Sequence, residues 1–550
     1  MTLIHGLDFR HIRGDIFGGI TAAVVALPLA LAFGVASGAG AIAGLYGAIF
    51  VGLFAALFGG TPAQVSGPTG PMTVVMAVVV TQYGGNPAMA FTVVMLGGAF
   101  QILFGVFRIG RFIELVPFSV VSGFMSGIGV IIILLQIGPL LGHPAPSGTL
   151  DAISKYPAIL SMPGRDATIA ATIALAIVFL TPKAISRWVP SSLLALVVGT
   201  LVVLFAFPGA PVLGAIPTGL PAPIVPQFTV EALPDMVRSG LILAALGSID
   251  SLLTSLIHDS ATRTYHKPNR ELIGQGIGNM VAGLFGGIPG AGATMRTMIN
   301  VRSGGRTPVS GALHALVLLA LVLGLAPLAS YIPHAVLAGI LIKVGVDIID
   351  WGFLKRMHRV PRAAVVKMFV VLLLTVFVDL ILAVGVGIVM ASLIYVKSMA
   401  DYQAANLKVA RAPEDATLSD AEAELLASTG GQVLLLQPDG PVSFAGAGTM
   451  GRRVGEAGNF DVLVLDLSAV PMLDNSAALA LEEIIRQARE AGRPAFLTGL
   501  HPKVEALLQR MGTLDLVHTD HRFPDRMTAL DRAAKIVLEV QRTGPLTAAG

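Results

Sequence analysis

Charged residues are sparse between Ile16 and Ser398 and dense from Asp401 onward. In the first stretch, apolar runs alternate with clusters of Gly, Pro and charge. The breaks leave segments at 16–36, 41–58, 69–82, 88–107, 118–138, 167–182, 190–207, 238–257, 272–286, 293–301, 308–328, 333–348, 366–379 and 381–398. A complete membrane span takes about 20 apolar residues. The pattern therefore predicts a polytopic α-helical membrane protein of about 14 segments, with the short third and tenth as half-helices. After Asp401 the pattern changes to soluble α/β. Strands are expected at 433–436, 442–444, 462–467 and 494–498, and helices at 477–490 and 502–511. The organisation expected is a membrane domain over 1–400, a linker and the start of the soluble part over 401–430, and a soluble domain over 431–550.

Composition narrows the class. Hydrophobic residues make up 54% and charged residues 13%, about half the charge of a soluble chain. The 63 glycines suit close helix packing and broken helices in lipid. A net charge of +3 gives no reason to expect nucleic acid. The absence of cysteine excludes disulfides, thiolate nucleophiles and Cys-ligated metals, and the histidines show no metal-ligand spacing. No catalytic constellation is visible, so an enzyme is not expected. The N-terminus shows no cleavable signal pattern.

Lys and Arg set the expected orientation. With the N-terminus inside, cytoplasmic loops hold Arg108 and Arg111, Lys183 and Arg187, Arg263, Lys267 and Arg270, Arg302 and Arg306, then Lys355, Arg356, Arg359 and Arg362; the opposite loops hold Lys155, Arg165 and Arg238. The asymmetry predicts an even number of spans with both termini in the cytoplasm.

The chain also repeats itself. Leu57-Phe58-Gly59-Gly60-Thr61-Pro62 returns as Leu284-Phe285-Gly286-Gly287-Ile288-Pro289, each followed by small residues and a half-helix. The copies lie seven segments apart, and an odd offset inverts topology, giving a 7+7 inverted repeat. Interrupted segments in matching positions point to a transporter's binding site. Helix starts carry unpaired N–H groups and partial positive charge, so they hold anions. Pro71 suits the first helical position, with Thr69 or Gly70 as cap, and Thr294 is the expected second cap. Gly292 and Ala293 leave room for a ligand.

Asp250 stands in the middle of an apolar span, where a carboxylate costs roughly 2.5–3.5 kcal/mol. Thr254 shares its helix face. A carboxylate with a hydroxyl and carbonyls suits a hard cation, and sodium is favoured over a proton. Arg296 either enters the same cavity or snorkels to the cytoplasmic surface. Lys343 and Asp347 read as an ordinary ion pair, Glu114 as interfacial, Asp379 as a turn residue, and Gln101 and Gln136 as interhelical hydrogen bonders.

These residues resemble the sulfate permease (SulP) anion transporters with a C-terminal STAS domain. The resemblance is carried by Arg13-Gly14-Asp15-Ile16-Phe17-Gly18-Gly19, Ala26-Leu27-Pro28, Ala43-Gly44-Leu45-Tyr46-Gly47-Ala48, Ser66-Gly67-Pro68-Thr69-Gly70-Pro71-Met72, Arg296-Thr297 to Thr307, and Leu473-Asp474-Asn475-Ser476. Gly34 to Gly40 and Gly67 to Thr73 are most similar to the bacterial sodium-dependent bicarbonate transporters. The resemblance implies core and gate domains moving as an elevator, and a homodimer. It implies sodium ligands at Asp250, Thr254, Gly292, Ala293 and Thr294. It also implies substrate contacts at Thr69, Ala293 and Thr294, with Arg296 as the family's half-helix arginine; Gly70 joins these as the neighbouring helix start. Ser476 matches a position phosphorylated in free STAS proteins, although Asn475 replaces a flanking Ser. The expected function is sodium-coupled bicarbonate symport, with sodium as coupling ion and no organic cofactor. The alternatives are proton-coupled sulfate or dicarboxylate transport, an anion channel, and a membrane-anchored STAS signalling protein with a cytoplasmic regulatory partner.

Overall fold

The structure, a computed structural model, describes residues 4–113, 117–146, 148–186, 189–214, 221–378, 380–415 and 418–543. Glu114, Arg187 and Asp379 lie outside the described residues. The chain divides into two compact units, 1–389 and 390–550.

Each of the expected membrane segments forms a helix. In order these are α1 (Ile12–Ala36), α2 (Ala41–Phe58), α3 (Gly70–Gln82), α4 (Pro87–Val106), α5 (Phe118–Leu140), α6 (Arg165–Leu180) and α7 (Ser191–Ala206), then α8 (Leu233–Thr262), α9 (Pro268–Leu284), α10 (Thr294–Arg302), α11 (Pro308–Ala329), α12 (His334–Ile348), α13 (Arg362–Phe377) and α14 (Leu380–Ala405). Among the described residues, six helices are individually long and apolar enough to cross a membrane: those containing α1, α2, α4, α5, α8 and α14. Proline occupies the first turn of α3, α4, α8, α9 and α11, where its missing N–H costs nothing. Glycine brings α4 and α9 into backbone contact: a Cβ on Gly98 or on Gly276 would sit 2.5 Å from the other's carbonyl oxygen.

The repeat has a structural counterpart. Both copies lie at the end of a helix, α2 and α9, and each leads through a two-residue strand into a half-helix. Strands β1 (Ser66–Gly67) and β2 (Ala291–Gly292) pair antiparallel, Ser66 opposite Gly292 and Gly67 opposite Ala291. Antiparallel strands feeding directly into helices make α3 and α10 start beside each other and run apart, as an inverted repeat requires.

The second unit contains a five-stranded sheet of β3 (Leu407–Ala410), β4 (Val433–Pro438), β5 (Val462–Asp466), β6 (Ala495–Thr498) and β7 (Arg522–Phe523), in that spatial order. The β3–β4 pair is antiparallel and the rest parallel. Alternate strand residues serve two cores. Leu434, Leu436, Leu463, Leu465 and Leu497 share one with Asn475–Glu490 and Pro502–Arg510. Val433, Leu435, Val462, Val464 and Phe496 share the other with Asp420–Ser428 and Arg526–Thr543. Arg526 joins Glu422 at 2.8 Å and Asp466 at 3.0 Å. Its guanidinium holds the Glu422 carboxyl down at about 2. One expected strand is corrected. Phe444 opens a helix, Phe444–Glu456, because its N–H donates to Asp474 Oδ2 at 2.7 Å, leaving Val442 only an isolated bridge to Leu473.

Candidate functional site

The site is built on the two broken segments. Thr69 caps α3, Gly70 is its first residue and Pro71 its second. The first α3 amide to bond back along the chain is that of Thr73, to Thr69 O at 2.9 Å, so the helix start presents its positive end outward. At α10 the cap is Ala293 and Thr294 is the first helical residue. The expected Thr294 cap is therefore displaced by one position: its hydroxyl is 2.8 Å from that of Thr254.

Helix α8 lies against this pair. Ser251 Oγ accepts from Gly292 N at 3.0 Å, and Thr254 Oγ1 donates to Gly292 O at 3.0 Å. A Cβ on Gly292 would come within 2.3 Å of Gln64 Nε2 and 3.1 Å of Ser251 Cα, so a side chain there would have to displace Gln64 and crowd α8. Asp250, one turn before Thr254, is 8% exposed and faces Thr69 and the charge of Arg296. Neither Asp250 Oδ2 nor Thr69 Oγ1 has a hydrogen-bond partner.

Arg296 is 2% exposed, which decides between the two sequence readings: it turns inward. Its Nη2 donates to Pro68 O at 2.6 Å across the repeat, and Nη1 has no partner. A Cβ on Gly67 would lie 2.9 Å from that Nη1. On the other side, isoleucines cover the α3 start. A Cβ on Gly70 would approach Ile132 of α5 to 2.8 Å and Ile348 of α12 to 2.9 Å. The structure thus gathers Thr69, Gly70, Asp250, Thr254, Gly292, Ala293, Thr294 and Arg296 around the two helix starts. Ser476 belongs to the other unit, exposed in the first turn of Asn475–Glu490.

Sequence reasoning missed the polar spine on α9. Glu271, Gln275 and Asn279 are all buried. Glu271 Oε2 accepts from the amides of Gly60 at 2.8 Å and Thr61 at 2.9 Å. Its Oε1 accepts from Gln64 and Gln275, both at 2.8 Å. Gln275 Nε2 also donates to Ser66 Oγ at 2.6 Å. Asn279 pins Gly290 through N–H and carbonyl, at 2.8 and 3.0 Å, and bonds Gln101 at 2.7 Å, the interhelical role expected of that glutamine. The available signal was spacing: three polar residues four apart on one face of a membrane helix.

Chemically, the arrangement offers two converging positive helix ends and a guanidinium to an anion. A carboxylate, hydroxyls and carbonyls beside them suit a hard cation.

Comparison with known proteins gives the following. Residues 12–396 match the sulfate permease family and residues 425–526 the STAS domain. The chain is 45% identical over 542 residues to the bicarbonate transporter BicA of Synechocystis sp., covering 97% of this chain and 96% of that protein. A solved structure of the transmembrane domain of a cyanobacterial BicA is 51% identical, with a TM-score of 0.66, covering 70% of this chain and all of that one. The structure of SLC26A9 is 19% identical, with a TM-score of 0.80 over 98% of this chain and 93% of that one, a likeness of fold.

Proposed function

The chain belongs to the sulfate permease family of membrane transporters, with a STAS domain, and on that premise we propose that it is a sodium-coupled bicarbonate symporter. The BicA relatives support the substrate. The observation that carries the coupling is the buried Asp250 carboxylate with one oxygen unpaired beside two helix starts. An unpaired buried charge is costly, and a bound cation answers it. Sodium would be held by Asp250, the Thr254 and Thr294 hydroxyls, and carbonyls of Gly292 and Ala293. A carbonyl that already accepts one hydrogen bond keeps a second lone pair for this.

Bicarbonate would sit between the starts of α3 and α10, at Thr69, Gly70, Ala293 and Thr294, with Arg296 supplying charge. Sodium neutralises Asp250, and an anion nearby is then no longer repelled. Each ion raises the other's affinity by the same factor, which is the thermodynamic basis of symport. Alternating access is assigned to an elevator movement of the half-helix core against the wall that carries Ile132 and Ile348. The domain limits are taken as 1–400 for transport, 401–430 as linker and start of the soluble part, which supplies β3 and Asp420–Ser428 to the second unit, and 431–550 for STAS. The protein is placed in a bacterial inner membrane, as a homodimer with both termini cytoplasmic. Ser476 is a modification site in this reading, since a phosphate there would meet a helix N-terminus.

The test is uptake of labelled bicarbonate, sulfate and fumarate into proteoliposomes, with and without an inward sodium gradient. Concentrative bicarbonate uptake driven by sodium is expected. Sodium-independent flux, or uptake of sulfate or fumarate in place of bicarbonate, contradicts the reading.

A further inference from the structure

Asp250, Thr254, His258 and Thr262 recur every fourth residue along α8, which places them on one face of the helix. The first two belong to the central site. His258 lies one turn beyond Thr254, toward the end marked by Arg263, Lys267 and Arg270. It is 2% exposed, and its ring Nε2 has no hydrogen-bond partner. Its Nδ1 is 3.5 Å from Asp259 Oδ1. A buried polar atom without a partner costs about 1–3 kcal/mol, a cost that a hydrogen-bonding occupant would offset.

The space for one is present. His258 lines a cavity of about 510 Å³ together with Asp8, His11, Thr262, Arg306 and Thr307. The charges around it do not cancel. Asp8 is engaged by Arg10, at 3.4 Å through Nε and 2.9 Å through the backbone amide. Asp259 is engaged by His266 Nδ1 at 2.7 Å. Arg306 and the imidazoles of His11 and His258 are left facing the cavity, beside the hydroxyl of Thr262. Arg306 brings the positive charge and the two imidazoles polar ring nitrogens, while the Thr262 hydroxyl is already committed to His258 O and Thr264; the volume holds a small oxyanion with several waters, each water taking about 30 Å³.

We propose that this cavity is a second oxyanion site, in which His258 and Arg306 hold the anion on its cytoplasmic way out of the central site. The identity of the anion and the side of the membrane rest on the proposed function. The binding itself does not, and it is measurable without transport.

The chain has no cysteine, so Thr264→Cys, at the exposed rim of the cavity, gives a single label. In the purified full chain, bicarbonate is expected to slow its reaction with a charged thiol reagent about tenfold, the change that 1.4 kcal/mol of binding produces. Arg306→Ala and His258→Ala, each in that background, should remove the protection. Asp250→Asn should keep it, because the central site is separate. The proposal is overturned if bicarbonate gives no protection, if protection survives both substitutions, or if Asp250→Asn also abolishes it. Should protection behave as expected while sodium-driven bicarbonate uptake is absent, the transport assignment fails and the site stands.

Discussion

Two acids buried in neighbouring membrane helices have opposite surroundings. Glu271 on α9 accepts four hydrogen bonds, two from the backbone amides of Gly60 and Thr61 and two from Gln64 and Gln275. Asp250 on α8 is nearly as buried, yet Oδ2 has no partner. Asp15 on α1 resembles Glu271: its carboxylate accepts from the amides of Arg306 and Thr307 and from the Thr307 hydroxyl. A carboxylate that is fully engaged holds chain segments together. One left open in a polar pocket is available to a mobile cation. Burial alone does not separate the two roles, and the count of donors does.

The contrast can be broken by exchanging charge for amide at each acid. Asp250→Asn is expected to abolish sodium-stimulated bicarbonate uptake while leaving the purified protein folded, since Oδ2 holds no chain segment through a hydrogen bond. If sodium stimulation survives in vesicles, the division of roles fails. Glu271→Gln should do the reverse. Its new NH2 group faces donors, and removing one member of such a buried charged network costs about 3–5 kcal/mol. A large drop in thermal midpoint is expected, with the sodium concentration for half-maximal uptake unchanged in whatever protein folds. A normal midpoint with weakened sodium dependence would reverse the assignment.

Smaller changes sharpen the picture. Arg296→Lys keeps the charge but loses the planar donor that reaches Pro68 O. Loss of one charge-assisted hydrogen bond predicts roughly tenfold weaker bicarbonate KM or more, checked by uptake at saturating sodium; an unchanged KM would exclude Arg296 from the anion site. Thr254→Val removes one hydroxyl and should weaken sodium about threefold to tenfold, read from the sodium dependence of uptake, with bicarbonate selectivity intact.

Much of this was legible in the sequence. Apolar runs located α1 to α14, because lipid forces each span to satisfy its own backbone within one continuous segment, but passed over the helix Thr149–Ser161, whose Asp151, Lys155 and Pro157 interrupt the run. Asp250 stood out because a lone acid in an apolar run is expensive. The duplicated Gly-Gly-x-Pro breaks marked the half-helices. Other features were not legible, since periodicity describes one helix at a time. The antiparallel pairing of Ser66–Gly67 with Ala291–Gly292 joins distant parts of the chain. Arg296 had two directions open until Pro68 O was seen to receive it. Glu271 sits in the first turn of α9, where an acid is unremarkable by the helix dipole, so its network was hidden until Gly60 and Gln64 were placed beside it. In the second unit, Val442-Ser443-Phe444 had strand-forming residues, yet Asp474 drew the Phe444 amide into a helix start.

Sodium binding to the purified chain, measured with labelled sodium in the presence of bicarbonate, tests the central claim most directly. Saturable binding that disappears in Asp250→Asn and persists in Asp250→Glu at reduced affinity is the predicted result. Equal sodium binding by the native chain and Asp250→Asn would contradict it.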